Sequence, residues 1–185
     1  MSSSTVTGPL TEVVLDDGTP AMIWPLLDTD AEGLRSAYAE LSPASRRFRF
    51  LTEVPELSDS LLRLLVDGVD GVHHVAVVLT AFPAEGGARQ VGVARLVRYR
   101  DEPEVADVAV TVLDAWQGRG VGRQLLAALL DRRPEGVVRL RTTVAAENRA
   151  SLSMLGRAGR LTARSDGAGA LTVEVTGLPV PAAHG

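Results

Sequence analysis

The stretch that organises this chain spans residues 106–148 and reads ADVAVTVLDAWQGRGVGRQLLAALLDRRPEGVVRLRTTVAAEN. Residues 107–113 form a β-branched apolar run typical of a strand, and apolar residues repeat at helical spacing over 121–130. Glycines join the two elements. At such a junction the unpaired N–H groups and the dipole of the helix attract an anion, and glycines let it approach the backbone. The sequence therefore predicts a phosphate loop over residues 117–122.

Two well-known phosphate-binding patterns do not fit this loop fully. A P-loop requires lysine and then serine or threonine after its last glycine, but Arg123 and Gln124 stand there. A dinucleotide fingerprint requires a third glycine or alanine where Arg123 stands, although Glu147 is suitably spaced for a ribose contact. A glycine-rich turn that binds no ligand is a further alternative. The flanking strand and helix favour a binding loop over such a turn.

The loop resembles the pyrophosphate loop of the GNAT family of acetyl-CoA-dependent N-acyltransferases. The family pattern is Gln or Arg, two residues, Gly, any residue, and Gly or Ala, and this chain matches it with Gln117, Gly120 and Gly122. The resemblance extends over roughly residues 13–175. A second strand follows at 137–144, and Asn148, Ser151 and Gly159 fall where the family's last helix carries its asparagine, its small residue and its closing glycine.

This resemblance implies both a fold and a donor site. The implied fold is α/β (α+β), with a mixed, largely antiparallel sheet flanked by helices and splayed apart between strands 104–113 and 137–144. The implied donor is acetyl-CoA, bound without a metal. Its pantetheine would contact the backbone of Val112 and Leu113, and Asn148 and Ser151 would contact the pantetheine or the adenylate side. Its pyrophosphate would be held by Gln117, Gly118, Arg119, Gly120, Val121, Gly122 and Arg123.

Asp107 is the predicted general base. An ammonium must lose its proton before it attacks a thioester, and burial among Ala106, Val108 and Ala109 would raise the pKa of the Asp107 carboxyl in the required direction. Protein-acetylating members of the family carry a glutamate at this position. Glu104 is the alternative base, and a solvent-facing Asp107 without a catalytic role is the structural alternative.

The acid that protonates the departing thiolate is missing from its usual place. Many family members carry a tyrosine there, but this chain has Leu155, next to Met154. The departure leaves open a non-catalytic acyl-CoA-binding sensor. An ionisable Asp107 within an apolar strand argues for an enzyme, because a binding module would not need it.

The segment LSPASRRFRF at 41–50 bears on the acceptor. It resembles the segment Leu-Ser-Pro-Glu-Ser-Arg-Tyr-x-Arg-Phe of bacterial protein-lysine acetyltransferases that act on acyl-CoA synthetases. The resemblance implies a protein lysine as acceptor. A small-molecule amine, such as an antibiotic or a polyamine, is the alternative within enzymes, and a solvated helix face is the structural alternative for the arginines.

Composition limits the class of protein. A length of 185 residues with 45% hydrophobic and 23% charged residues fits one globular domain, predicted over 11–176 between a flexible arm (1–10) and a tail (177–185). The net charge of −4 gives no basic footprint for nucleic acid. The chain has no cysteine, which excludes disulfides and a cysteinyl intermediate, and all 19 basic residues are arginine. Neither a signal peptide nor a membrane span is evident, so we expect a cytoplasmic protein.

The remaining elements follow from periodicity and capping. The histidines His73 and His74 begin a strand, where at most one of them could face a site. Thr29 and Glu32 suggest a capping box for a first helix, and Ser42 with Pro43 begins a second. The predicted helices are 30–41, 43–50 and 57–66, the predicted strands of a meander are 74–82, 90–99 and 104–113, and hairpins are predicted around 16–18 and 166–169.

Overall fold

The computed structural model describes residues 10–52 and 54–181, which form one eight-stranded sheet with helices on both faces. The strands are β1 (Thr11–Val14), β2 (Pro20–Pro25), β3 (His74–Ala81), β4 (Arg89–Arg98), β5 (Val105–Val112), β6 (Arg139–Ala145), β7 (Arg160–Ser165) and β8 (Ala170–Thr176). The helices are α1 (Ala31–Glu40), α2 (Pro43–Phe50), α3 (Asp59–Asp67), α4 (Val121–Asp131) and α5 (Arg149–Ala158).

The strand order is β1-β2-β3-β4-β5-β6-β8-β7, and every pairing is antiparallel except β5 with β6. The first five strands are adjacent in the sheet in the order of the sequence. The helices α1, α2 and α3 are inserted in the chain between β2 and β3. β3 is almost entirely apolar and buried because both of its faces are covered. The prediction of an α/β fold with a mixed, largely antiparallel sheet is confirmed.

The register of β4 and β5 sets which side chains share a face. Arg95 pairs with Ala109 and Val97 pairs with Asp107, so these four residues point to the same side of the sheet. Helices α1, α2 and α3 cover that side. Helix α4 packs on the opposite side, where Leu125 lies against Gly92. The core is the set of apolar residues between these two layers and the sheet.

The parallel pairing of β5 with β6 is brief. It comprises only Val105 with Arg139 and Ala106 with Leu140, after which the strands diverge. Beyond that point the Thr142 hydroxyl donates a hydrogen bond to the Val108 carbonyl at 3.0 Å. The implied splay between these strands is therefore present. It opens a gap in the sheet on the carboxyl side of Ala106.

Helix boundaries agree with the predictions within a few residues, with one correction. Ser42 caps α2 by accepting from the Ser45 amide, and Ser58 caps α3 in the same way. The Thr29–Glu32 capping box was wrong: a 3₁₀ turn (Asp28–Asp30) precedes α1, and Asp30 occupies the N-cap position. The reason is that the Asp30 carboxylate accepts from the Leu27 amide, which draws the chain into the tighter turn first.

The predicted arm lies almost wholly outside the described residues, of which Leu10 is the first. Residues 177–181 follow the last strand, and residues 182–185 lie outside the described part. Within the described tail, Arg133 donates a hydrogen bond to the Pro179 carbonyl at 2.8 Å. The start of the tail is thereby attached to the end of α4.

Candidate active site

The phosphate loop joins the end of β5 to α4 through two residues with positive φ. Gly118 has φ +75° and Gly120, the N-cap of α4, has φ +84°. L-residues rarely adopt this conformation, so glycine is favoured at both positions. The first turn of α4 has no side-chain cap, which leaves backbone N–H groups of this turn available to an anion.

The turn between β1 and β2 packs against the phosphate loop. The Asp16 amide donates to the Arg119 carbonyl at 3.0 Å, and the Asp17 carboxylate accepts from the Arg119 guanidinium at 3.0 Å. The Asp16 carboxylate accepts from Arg123 at 2.7 Å. The loop is thus held by acidic side chains that lie about a hundred residues away in sequence.

A groove of about 950 Å³ runs along the phosphate loop, between the end of β5 and the helices α2, α4 and α5. Its described lining includes most of the residues predicted to bind a donor: Val112, Gln117, Gly118, Gly120, Val121, Gly122, Arg123, Asn148 and Ser151. The structure therefore brings together, in one groove, residues that are separated by up to 39 positions in the chain.

Four side chains fix the wall of the groove where α2 meets the end of β5. The Asp114 carboxylate accepts from the Ser42 amide and from the hydroxyls of Ser42 and Ser45. Burial raises the pKa of the Asp114 carboxyl, but these hydrogen bonds outweigh it and leave the pKa below its usual value. Gln117 donates to the Val112 carbonyl at 3.2 Å. The predicted cap of α2 thus also anchors the groove.

A second space, the cleft, opens on the gap between β5 and β6 and has a volume of about 340 Å³. Its walls include Asp107, Tyr99, Thr142, Arg49 and the buried Leu155. The cleft and the groove share the lining residues Phe48, Arg49, Val110, Asn148, Ser151 and Met154. The two spaces therefore meet, and we call the place where they meet the junction.

Asp107 is half-buried in the cleft, and burial raises the pKa of its carboxyl above the usual range. The Thr142 hydroxyl, the Val108 amide and the positive charge of Arg49 oppose this shift without cancelling it. A carboxyl with a raised pKa beside an open cleft has the properties of a proton acceptor for an amine.

Glu104 has a different environment. Its carboxylate accepts a hydrogen bond from Arg139 at 2.9 Å, in a partly exposed ion pair. Glu104 is not among the residues that line the cleft. The geometry therefore separates the two predicted bases and places only Asp107 at the cleft.

Two residues predicted to bind the donor are not in the groove lining. Arg119 points to Asp17 and stacks on Trp116, with 4.7 Å between its guanidinium carbon and the ring centroid. The Leu113 amide donates to the Val91 carbonyl, and the Leu113 side chain is buried. Of the histidines, His73 is exposed, and the ring of His74 lies beside Arg95 on the covered face of the sheet.

Arg49, Tyr99 and Thr142 line the cleft, although sequence patterns did not identify them as site residues. Arg49 was visible only as one of three similar arginines in the segment 41–50, for which an acceptor-site role and a solvated helix face were both open. Strand alternation could have placed Tyr99 on the Asp107 face, since Val97 pairs with Asp107. The position of Thr142 depends on the parallel pairing of β5 and β6, which leaves no local signal.

Two further findings on the described residues concern metals and membranes. Within residues 10–52 and 54–181, no group of three or more His, Asp or Glu side chains is arranged to hold a metal ion. In the same described part, each helix is too short or too polar to span a bilayer.

Comparison with known proteins adds independent findings. The sequence profile of the family described as Acetyltransferase (GNAT) domain matches residues 73–154, which include Asp107 and the phosphate loop. Acetyltransferase PA5475 of Pseudomonas aeruginosa is 37% identical over 137 residues, which are 74% of this chain and 72% of that protein. Acetyltransferase Pat of Mycolicibacterium smegmatis is 34% identical over 85% of this chain but 45% of its own length, so this chain spans less than half of that protein.

A solved structure agrees with these matches. The GNAT domain of S. lividans PAT superposes with a TM-score of 0.76 at 30% identity, covering 90% of this chain and 96% of that domain. The family profile, the relative that is 37% identical and this structural match together show that the chain belongs to the GNAT family of acetyltransferases, close to its Pat-type members.

Proposed function

We propose that this enzyme transfers an acetyl group from acetyl-CoA directly to the side-chain amine of a protein lysine, with Asp107 as the general base. One observation carries the proposal: the half-buried Asp107 carboxyl lines a cleft that meets the groove of the phosphate loop. Such an arrangement lets an amine in the cleft and a thioester in the groove come together at the junction.

The groove fits the donor. Its phosphate loop offers N–H groups at a helix N-terminus for a pyrophosphate, and Arg123 lies at the same place to complement the negative charge. Val110 and Val112 provide the edge of a diverging strand along which a pantetheine arm would extend. The glycine-rich loop lets a phosphate approach the backbone closely, and the free edge of β5 can pair with an extended chain. The two features together favour an extended ligand that carries a phosphate.

The proposed reaction is a direct transfer. The Asp107 carboxylate takes one proton from the ammonium, and the freed amine nitrogen bonds to the thioester carbonyl carbon. The carbon–sulfur bond breaks, and the nitrogen loses its remaining extra proton to water as the amide forms. Leu155 supplies no proton, so the sulfur leaves as thiolate, whose ordinary pKa of about 8.5 makes it a tolerable leaving group. Water then protonates it. The chain has no cysteine, so a cysteinyl intermediate is not part of this route.

A protein lysine is the proposed acceptor because of the likeness to Pat-type members and the segment 41–50 that resembles theirs. An acyl-CoA synthetase is the first substrate to test. A cytoplasmic location belongs to the same proposal, since acetyl-CoA and the proposed acceptor are both found in the cytoplasm. The enzyme itself has no lysine side chain to acetylate.

Thiol release tests the proposal. Because the chain has no cysteine, the enzyme adds no thiol background to the released CoA, and a blank with the acceptor alone corrects for thiols of the acceptor. Acetyl-CoA is incubated with an acyl-CoA synthetase, lysine peptides or small amines, using the parent, Asp107→Asn and, as matched control, Glu104→Gln. We expect the rate of CoA release from acetyl-CoA to be highest with the protein acceptor. Asp107→Asn should lose on the order of 10² to 10⁴ in kcat/KM with acetyl-CoA affinity retained, and Glu104→Gln should stay near the parent.

Other outcomes assign other functions. Thiol release with small amines only would identify the acceptor as a small molecule and not as a protein lysine. Tight acetyl-CoA binding without thiol release for any acceptor would favour the acyl-CoA sensor, which Leu155 at the usual position of the acid supports. Parent-like turnover of Asp107→Asn across the pH range would remove Asp107 from the reaction.

A further inference from the structure

A third space, the inner cavity, lies between the sheet and the helices α1, α2 and α3, and has a volume of about 50 Å³. Its walls are mainly apolar, with side chains such as Leu34, Val93 and Leu113. Two arginines, Arg49 and Arg95, also line it. Cations in an otherwise apolar wall are costly, so their partners need to be accounted for.

Arg95 is only 8% exposed. Its guanidinium donates to the Leu65 carbonyl at 3.1 Å and lies 3.5 Å from Nε2 of His74, and among the described residues it has no carboxylate within ion-pair distance. Burial, together with the neighbouring charge of Arg49, lowers the pKa of the Arg95 guanidinium to about 9. A buried cation in this state gains stability from any carboxylate that reaches it.

Arg49 is the second cation, and it reaches the junction. It lines the inner cavity, the cleft and the groove. Its guanidinium carbon lies 4.7 Å from the centroid of the Phe50 ring, and in the described part of the chain its guanidinium makes no hydrogen bond or ion pair. The Asp107 carboxylate attracts it from beyond ion-pair distance.

The charges around the junction are unbalanced. The charges of Arg49 and Arg95 repel each other, and of the two only Arg49 is attracted by the Asp107 carboxylate, which must also accept a proton from the incoming amine. An ammonium acceptor would add another positive charge to this region. A ligand carboxylate would compensate the guanidinium charge, and arginine binds carboxylates with paired, directional hydrogen bonds.

The shape of the space favours the donor as the source of that carboxylate. The inner cavity adjoins the groove, since Arg49 and Thr111 line both. Liquid water occupies about 30 Å³ per molecule, so the cavity has room for a few atoms and not for an amino-acid side chain of a protein acceptor. Apolar walls ending in cations match a short methylene chain that ends in a carboxylate.

We propose that this site also accepts acyl donors whose chain ends in a carboxylate, as in the four-carbon thioester succinyl-CoA, with the carboxylate held by Arg49 and Arg95. The inference rests on the proposed function only in placing the thioester at the junction. The transfer keeps the same balance: the amide bond forms at the thioester carbonyl carbon, the carbon–sulfur bond breaks, and Asp107 takes the proton. The distal carboxylate is unchanged.

Calorimetric titration tests the inference without an acceptor. Succinyl-CoA is compared with butyryl-CoA, which has the same chain length and a methyl group in place of the carboxylate. We expect the parent to bind succinyl-CoA at least tenfold more tightly, the size expected of a charge-assisted pair. Arg49→Gln should reduce this ratio to within about threefold, and Arg47→Gln, a neighbouring exposed arginine paired with Glu147, should preserve it.

Arg95→Gln provides a second variant, used if circular dichroism shows it folded, and should reduce the ratio as well. Equal affinity of the parent for the two donors, or a preference that survives both substitutions, would overturn the inference. The inference would also be overturned if the parent bound free succinate, if Arg49→Gln abolished that binding, and if succinyl-CoA nevertheless bound no more tightly than butyryl-CoA. If acetyl-CoA itself does not bind, the donor assignment fails; if acetyl-CoA binds and succinyl-CoA is not preferred, only the present inference fails.

Discussion

Oδ1 of Asp16 accepts a hydrogen bond from the Arg123 guanidinium at 2.7 Å, although 107 positions separate the two residues. Arg123 lines the groove beside the phosphate loop, and so does Asp16. A pyrophosphate bound at the helix N-terminus would therefore meet a carboxylate that already occupies the nearest guanidinium. Asp16 and the donor are expected to compete for Arg123.

Asp16→Asn should consequently strengthen acetyl-CoA binding. The ion pair is about half exposed on both sides, which limits its effect to roughly a two- to fivefold gain in affinity at low salt. The gain should shrink at high salt because the interaction is screened. Calorimetry at two ionic strengths measures it. Asp17→Asn is the matched control, since its partner Arg119 does not line the groove, and weaker binding by Asp16→Asn would instead show that Asp16 supports the loop.

Gly120→Val and Gly122→Val should both impair donor binding. A Cβ at Gly120 would lie 2.8 Å from the Asp16 carboxylate at a φ of +84°, and one at Gly122 would lie 3.2 Å from Sδ of Met154 at the junction. We expect affinity for acetyl-CoA to fall more than tenfold in each, since backbone strain at Gly120 and side-chain bulk at both positions act where the ligand meets the backbone. Arg119→Ala should cost less than threefold. Parent-like affinity in either folded glycine variant would contradict the pyrophosphate assignment.

Asp107→Asn should alter stability in a pH-dependent way. Because the pKa of the Asp107 carboxyl is raised in the folded protein, the folded state holds a proton that the unfolded state has lost. The favourable contribution is complete below the unfolded pKa of about 3.9 and disappears as pH rises through the folded pKa. At neutral pH the Asn variant should therefore melt at a higher Tm than the parent, with the difference narrowing in acid. A lower Tm at neutral pH would show that the charged form of Asp107 is stabilised.

Two glycines near the end of α5 should respond oppositely to alanine. At Gly159 the backbone is extended, but a Cβ would lie 2.3 Å from the Thr176 carbonyl oxygen, so Gly159→Ala should destabilise by about 2 kcal/mol. At Gly156, inside the helix, the nearest atom to a Cβ is at 4.0 Å. Gly156→Ala should stabilise by roughly 0.5–1 kcal/mol through helix propensity. Urea unfolding measures both, and equal effects would contradict the close β8 contact.

The sequence alone identified the order and type of nearly every element, because period, capping and glycine placement are properties of a few neighbouring residues. Ser42 and Ser58 cap the helices that their spacing predicted. The glycines of the phosphate loop indicated a binding site for the same reason, since positive φ at Gly118 and Gly120 is a local requirement. Asp107 was found as an ionisable residue in an apolar strand.

The tertiary structure decided which of these elements meet. The alternation of apolar and polar residues shows that a segment can form a strand, but not which other strand it pairs with. Only the structure places β8 between β6 and β7. The brief pairing of β5 with β6 opens the cleft at Asp107 and separates it from Glu104. Arg49 and Arg95, 46 positions apart, share one cavity because a helix crosses the sheet there. Such contacts depend on packing between segments that are far apart in the chain. No single local pattern contributes enough energy to determine which segments pack together.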